Sequence, residues 1–532
     1  MDCFTIAVLA FALIADPFRE LRVSVPDGLG QNPSLQTFWS MIHPPLVFAA
    51  YTTLLFSYSL VVGRKLTSGA ETQPLDDRVL WASWMLLTLA ISFGGAWAYE
   101  TLGWGGYWAW DPLETSALIP WLSLTALLFT KYMGVGRDHD LFATTFSASA
   151  VFFTAYIARS ATAPSLHGYG TFVGGIFLLL LAVLPTLISL MAARRGTFYH
   201  SDVERGIPSY PLADLTFWSL IFVALANLIL LFYQSFASFF GVGVQPSPQL
   251  HNSVSLPMLI VFLAVIVVNC IKERPTAKDL LFSLALLLVI GLACSLLKRP
   301  TGNVLANVGL PFVLALFAAT AYRVSKGVVK ARYFRTYSNF RHVAFFGIAV
   351  LLLGVLISSS MQVSATEIVH TGESFDVLEL KLSVVEVATS PSDQQIFLAP
   401  YGMVPESIDT KVIYTSSDEP SGSRIIFLRY YPAFDRFVPA PSIHKSVMED
   451  IYIVASPTET VREATASAFA DRTTTTPSDV GITIKRIPAV SLVWLGAVIL
   501  IIGNLPFMFV QAPLQAIEEN LESSWKRIDT GP

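Results

Sequence analysis

The chain has 532 residues, 53% of them hydrophobic and 14% charged, with a formal net charge of −4 and a mean hydropathy of +0.58. So apolar a chain cannot hide its side chains in one water-soluble core, which excludes an ordinary globular protein and makes it a multi-span membrane protein. The small charge is spread over many loops, and no nucleic-acid partner is expected.

The first apolar run, FTIAVLAFALIA at 4–15, is short of the ~20 residues that cross ~30 Å of hydrocarbon. It has no basic start and no small-residue cleavage site, so it reads as the back end of a helix and not as a removable signal. Eleven runs long enough to span follow, at about 43–63, 79–98, 115–133, 140–159, 169–193, 213–239, 253–271, 279–297, 304–324, 342–360 and 489–511. Helices satisfy their own backbone groups in lipid. The expected fold is therefore an all-α polytopic membrane protein of about 12 transmembrane helices with one small extracytoplasmic β-rich domain.

That domain is expected at 361–487, where the sequence turns polar and shows period-two runs such as DVLELKLSVVEV, SRIIFLRYY and DIYIVAS. TTTTPSDVG reads as a flexible return to the membrane. The division is then 1–360 for the transmembrane helices, with an outer aromatic segment at 97–121, followed by 361–487, a last helix at 488–511 and a tail at 512–532. Lys and Arg gather in one alternate set of loops, including Arg64, Lys65, Lys131, Arg194, Arg195 and the cluster from Arg323 to Arg341. By the positive-inside bias both termini and the tail are cytoplasmic, while the aromatic segment and the β-rich domain lie outside, as expected of a multi-pass plasma-membrane protein.

Cys3, Cys270 and Cys294 lie in hydrophobic segments and form neither a disulfide framework nor a Cys-x-x-Cys pair. The chain is thus not its own thiol redox catalyst. Phosphate-cradling Gly-Lys-Ser loops, His-Glu-x-x-His helices and Gly-x-Ser-x-Gly elbows are missing from the sequence as well.

The positive signal is aromatic. Trp97, Tyr99, Trp104, Tyr107, Trp108 and Trp110 crowd one stretch, with Gly103, Gly105 and Gly106 among them. An interfacial belt needs no glycines; here they let the backbone bend so that the rings form a floor for a flat ligand. His43, in SMIHPPLVF, stands where an outer loop enters a helix, with Pro44 and Pro45 suited to its first positions. His167, in ARSATAPSLHGYG, lies in the next outer loop after the aromatic segment. Alone, either histidine reads as an ordinary polar residue; as a pair flanking indoles they suit an iron porphyrin. His251 is outside too, but PSPQLHNSV offers it no aromatic floor.

GGAWAYETLGWGGYWAWDPLETSALIPWL resembles the tryptophan-rich WWD signature of haem-handling proteins, and the chain is most similar to the CcmF-type haem lyases of cytochrome c maturation. The segments around His43 and His167, the loop QPSPQLHNSVSLPM and the run PSIHKSVMEDIYIVAS extend the likeness over most of the chain. Tyr107, Ala109 and Thr115 depart from the usual Trp, Phe and Asn. The resemblance implies that His43 and His167 ligate the iron of a substrate haem b at the outer face. Trp97, Trp104, Tyr107, Trp108 and Trp110 would form its platform, and Arg159 would pair with a propionate. Asp111 and Glu114 are expected to cap the next helix, ahead of an acid–base role. At the positions where relatives place two intramembrane ligands for a second haem stand Phe129 and Phe345 or Phe346, so no second haem is expected; His342 lies a turn away.

The implied reaction adds the two Cys-x-x-Cys-His thiols of apocytochrome c across the haem vinyl groups, giving thioethers. The implied partners are a haem chaperone (CcmE-like), apocytochrome c and its thiol-reductant and presenting subunits (CcmH-like). The further N-terminal helices of relatives are expected to come from a separate polypeptide or to be dispensable. The alternatives are a haem transporter, which would want polar groups at mid-membrane, and a non-catalytic haem-binding or assembly scaffold.

Overall fold

The computed structural model describes residues 2–15, 33–66, 74–132, 139–160, 172–195, 211–272, 275–329, 337–398, 402–416 and 423–509. Among them, 11 helices are long and apolar enough to cross a membrane. In chain order the helices are α1 (Asp2–Ala15), α2 (Trp39–Leu66), α3 (Pro74–Thr101), α4 (Pro112–Tyr132), α5 (Asp140–Arg159), α6 (Phe172–Arg195) and α7 (Pro211–Phe239). Four more precede the β-domain: α8 (Pro248–Ile271), α9 (Ala277–Leu296), α10 (Val304–Val329) and α11 (Tyr337–Ser360). The short first helix, α1, lies against α6, with Phe11 stacked on Phe177 at 6.1 Å.

Local chemistry sets the helix starts. Ser247 caps α8 by accepting from the Leu250 N–H, with Pro248 at the first helical position. Thr276 and Asp279 form a reciprocal capping box at α9. The start of α2 differs from expectation: the helix begins at Trp39, so Pro44 and Pro45 sit inside it and His43 is in its second turn. Backbone turns at Gln36, Ser40 and Met41 begin the coil before the prolines are reached.

α4 is the hub of the membrane part, packed against α3, α5 and α7. Its Leu124, Ala126, Leu127, Leu128 and Phe129 are buried in the main apolar cluster. α11 meets the last span, α13 (Val490–Asn504), over most of its length. Their backbones touch at glycines: a Cβ built on Gly347 would lie 2.4 Å from Leu500 N, and one on Gly496 would lie 2.2 Å from Leu351 N. Such close approach is the way small residues join helices where lipid is as apolar as the protein.

Between α11 and α13 stands the β-domain, with strands β1 (Val363–His370), β2 (Ser374–Val377), β3 (Leu380–Pro391), β4 (Gln395–Leu398), β5 (Gly402–Pro405) and β6 (Ile408–Ser416). The rest are β7 (Arg424–Tyr431), β8 (Arg436–Ala440), β9 (Ser442–His444), β10 (Glu449–Ser456) and β11 (Asp479–Pro488). One sheet runs β1-β11-β10-β9, a second β2-β3-β6-β7-β8, and β4 and β5 form a hairpin. Alternating residues from both sheets, among them Leu382, Val384, Val412, Ile426, Ile453, Ile482 and Ile484, share one core. A helix unforeseen in the sequence, α12 (Glu459–Asp471), is capped by Thr458 and buries Val461, Ala464 and Ala468. The stretch read as a flexible return is ordered: Thr475 pairs with Thr389, and Asp479 opens β11, an inner strand. The predicted tail, 512–532, lies outside the described residues.

Candidate functional site

The aromatic segment joins α3 to α4 at the membrane face that carries the β-domain. Its far end is a helix cap. Asp111 accepts from the Leu113 N–H at 2.9 Å, Pro112 takes the first helical position, and Glu114 reaches back to the N–H groups of Asp111 and Ala109 at 3.3 and 3.0 Å. Both carboxylates thus bond the helix start.

His43 is half-buried on α2, with its Nδ1 2.9 Å from the Ala90 carbonyl of α3. A carbonyl only accepts, so Nδ1 carries a proton, and in the neutral ring the lone pair is on Nε2. The ring sits over Gly94, where a Cβ would lie 2.8 Å from its Cε1, so α3 makes room for it by carrying no side chain there. One turn back on α2, Trp39 packs on Phe93 at 5.7 Å and donates to Glu100 at 2.6 Å. Glu100 also holds Lys445, between β9 and β10, at 2.6 Å. A helix starting at His43 leaves Trp39 out; in the observed α2 the two rings stand four residues apart on one face.

Of the residues expected to form a platform, Trp97 is buried and donates from Nε1 to the Ser34 carbonyl at 2.9 Å. The Trp104 indole donates to Gly106 O, and its own carbonyl accepts from Lys485 of β11. Burial pulls the Lys485 ammonium below its ordinary range. Tyr107 turns towards the last helices, its hydroxyl 2.7 Å from Ser358 and its ring edge-on to Trp494 at 5.9 Å. Burial pushes its phenol up to about 12. Trp108 meets Trp110 edge-on at 5.8 Å. Arg159 is exposed at the end of α5, and His167 lies outside the described residues.

The glycines serve the β-domain as well as the bend. Gly103 and Gly105 have φ of +76° and +69°, and a Cβ on them would lie 2.2 Å from Pro439 and 2.8 Å from Lys485. Strands β8, β10 and β11 thus press directly on the segment's backbone. Tyr99, Tyr452, Val454, Ile487 and Val490 form a small apolar cluster beneath, with Tyr107, Ile443 and Trp494 packed against it. The Tyr99 hydroxyl donates to Asp450 at 2.9 Å.

His251 has the aromatic partner its own loop lacks. Trp110 stacks on it with the centroids 4.8 Å apart and the planes 7° from parallel. No sequence signal linked two residues so far apart in the chain.

In the membrane interior, Phe129 and Phe345 stack at 5.4 Å. They line a small gap, no larger than a water or so, with Trp81, Trp84, Tyr132 and Phe262. Phe346 faces Phe317, and the His342 Nδ1 turns to Cys270 Sγ at 4.0 Å. Among the described residues no group of three or more His, Cys, Asp or Glu is placed to hold a metal ion.

A family profile described as Cytochrome C assembly protein matches residues 2–163. The chain is 27% identical over 403 residues to the cytochrome c-type biogenesis protein CcmF of Pseudomonas fluorescens, covering 71% of this chain and 60% of that one. To CcmF of Escherichia coli K12 it is 24% identical over 538 residues, covering 96% and 77%. A solved structure, Cytochrome c Heme Lyase CcmF, superposes with a TM-score of 0.63 at 19% identity, covering 89% of this chain and 73% of that one, and shares its fold. Bundle, aromatic segment and inserted β-domain define a polytopic membrane protein whose residues 2–163 match the cytochrome c assembly family. Over nearly its whole length the chain is similar to CcmF proteins.

Proposed function

We propose that this chain is the haem lyase component of cytochrome c maturation, holding haem as a substrate at the outer membrane face while apocytochrome thiols add to it. The observation that carries the reading is the His43 imidazole. The Ala90 carbonyl holds its Nδ1 proton, so Nε2 is the nitrogen able to bind iron. His167 is the second ligand in this reading, and Trp97, Trp104, Tyr107, Trp108 and Trp110 are the platform and its support. Arg159 pairs with a propionate.

In the reaction each thiol adds across one vinyl group: a C–S bond forms, the thiol hydrogen passes to the neighbouring vinyl carbon, and the two-electron balance is unchanged. The nucleophile belongs to the apocytochrome. This chain therefore contributes position, by fixing the porphyrin and leaving its vinyl edges open. The partners in this reading are a haem chaperone, apocytochrome c and its reducing and presenting subunits. The stacked Phe129 and Phe345 support a site for one haem, with none in the membrane interior. They also favour a second reading, a scaffold that presents haem without attaching it.

The test is purified protein supplied with haem and a reduced apocytochrome. Wild type is expected to give a bis-histidine spectrum and covalently labelled cytochrome. His43→Ala and His167→Ala should each lower haem retention at least ~10-fold. If both variants keep the wild-type spectrum the ligand assignment falls, and bound haem without covalent product selects the scaffold.

A further inference from the structure

We propose that His251 is a positioning residue for the aromatic segment: a hydrogen-bonded imidazole shelf, supplied by α8 and braced by α7, on which Trp110 is set. The inference rests on the proposed haem reading only for its consequence, since the shelf is a matter of geometry.

The imidazole is fixed first. His251 is 2% exposed, and its Nδ1 lies 2.7 Å from Oδ1 of Asn227, itself fully buried on α7. The Asn227 amide nitrogen donates to the Val223 carbonyl at 2.9 Å and to Ser255 Oγ at 3.0 Å, so its oxygen must face the imidazole. An amide oxygen only accepts, which puts the proton on Nδ1. Turning the ring over would leave Asn227 Oδ1 against a C–H, a buried acceptor without its donor. Tautomer and orientation are therefore both set by Asn227 and Ser255.

Trp110 is fixed second. Its φ of +57° is left-handed, a region bulky residues rarely enter and keep only when surrounding contacts hold them. The near-parallel stack on His251 is such a contact. Trp110 immediately precedes the Asp111 cap of α4, and α4 packs along α7, so stack and cap share one foundation. Trp108 then leans edge-on against Trp110. The segment is thus pinned at both ends, by the β-domain at Gly103–Gly105 and by α7 and α8 at Trp110.

Amide hydrogen exchange on the full chain in detergent reads this directly. His251→Ala is expected to raise exchange in 102–111 at least tenfold, with peptides of the β-domain and of the membrane helices unchanged. His251→Phe keeps a flat ring and should restore most of the protection, while Asn227→Ala should fall between the two. In haem-supplied protein the Soret band should weaken in His251→Ala and return in His251→Phe. Unchanged exchange of 102–111 in His251→Ala would overturn the proposal, as would a rise spread evenly over all peptides. Should wild type take up no haem, the haem-lyase reading fails while the exchange data still decide the role of His251.

Discussion

Three glycines within four residues meet three different surroundings, and their substitutions should separate accordingly. Gly103 is left-handed and its missing Cβ is occupied by Pro439; at Gly106 the nearest atoms to a Cβ are 3.8 Å away. Gly103→Ala is therefore expected to destabilise the protein by on the order of 1–3 kcal/mol, whereas Gly106→Ala should be nearly neutral. Thermal melting in detergent checks both. Tyr107 adds a pH dependence. The fold keeps its phenol neutral up to about 12, above the ordinary value of 10.0. More protons are then bound folded than unfolded between these values, so its contribution is whole below pH 10 and is lost as pH climbs towards about 12. Melting temperature followed from pH 9 to 12 should lose this component in Tyr107→Phe.

Among the elements, the pairing of α11 with α13 is the most exacting. Gly347 and Gly354 face Leu500 and Val493, and Gly496 and Gly503 face Leu351 and Ala344, all with backbone atoms within 3 Å of a would-be Cβ. Gly496→Leu should force the helices apart and cost about 1–3 kcal/mol or more. Gly63→Ala, with nothing within 4 Å of its Cβ, should be tolerated; heat-induced aggregation of the two variants compares them. The spans themselves were legible, because a run of apolar residues long enough to cross lipid leaves few choices: the expected 342–360 falls on Phe340–Ser360, and the described part of 489–511 holds Val490–Met508. The β-domain was legible from its period-two runs, but α12 was not, since its apolar face consists mainly of alanines and one valine. At the site, the crowding of rings marked the segment. What each ring touches depends on elements distant in the chain: Tyr107 on Trp494, Trp110 on His251, Gly103 on Pro439. No local pattern encodes such pairings.

For the whole molecule, the β-domain and the bundle meet through several kinds of contact at once. The Trp39–Glu100–Lys445 chain ties α2 and α3 to the loop before β10. Lys485 reaches the Trp104 carbonyl, and Ser491 at the start of α13 donates to Val447 at 2.6 Å. The domain both leaves and rejoins the membrane through neighbours: β1 pairs with β11 from Val363↔Arg486 to His370↔Asp479, directly above the α11–α13 pair. Adjacent strands run about 4.8 Å apart, so exit and return stand side by side on a single stem. In engineering terms the domain is a cassette. Replacing 363–488 by a short flexible bridge should let the remaining helices assemble, circular dichroism losing only the helix signal of α12. Residues 102–111, stripped of their roof, would become a cleavage site for added protease.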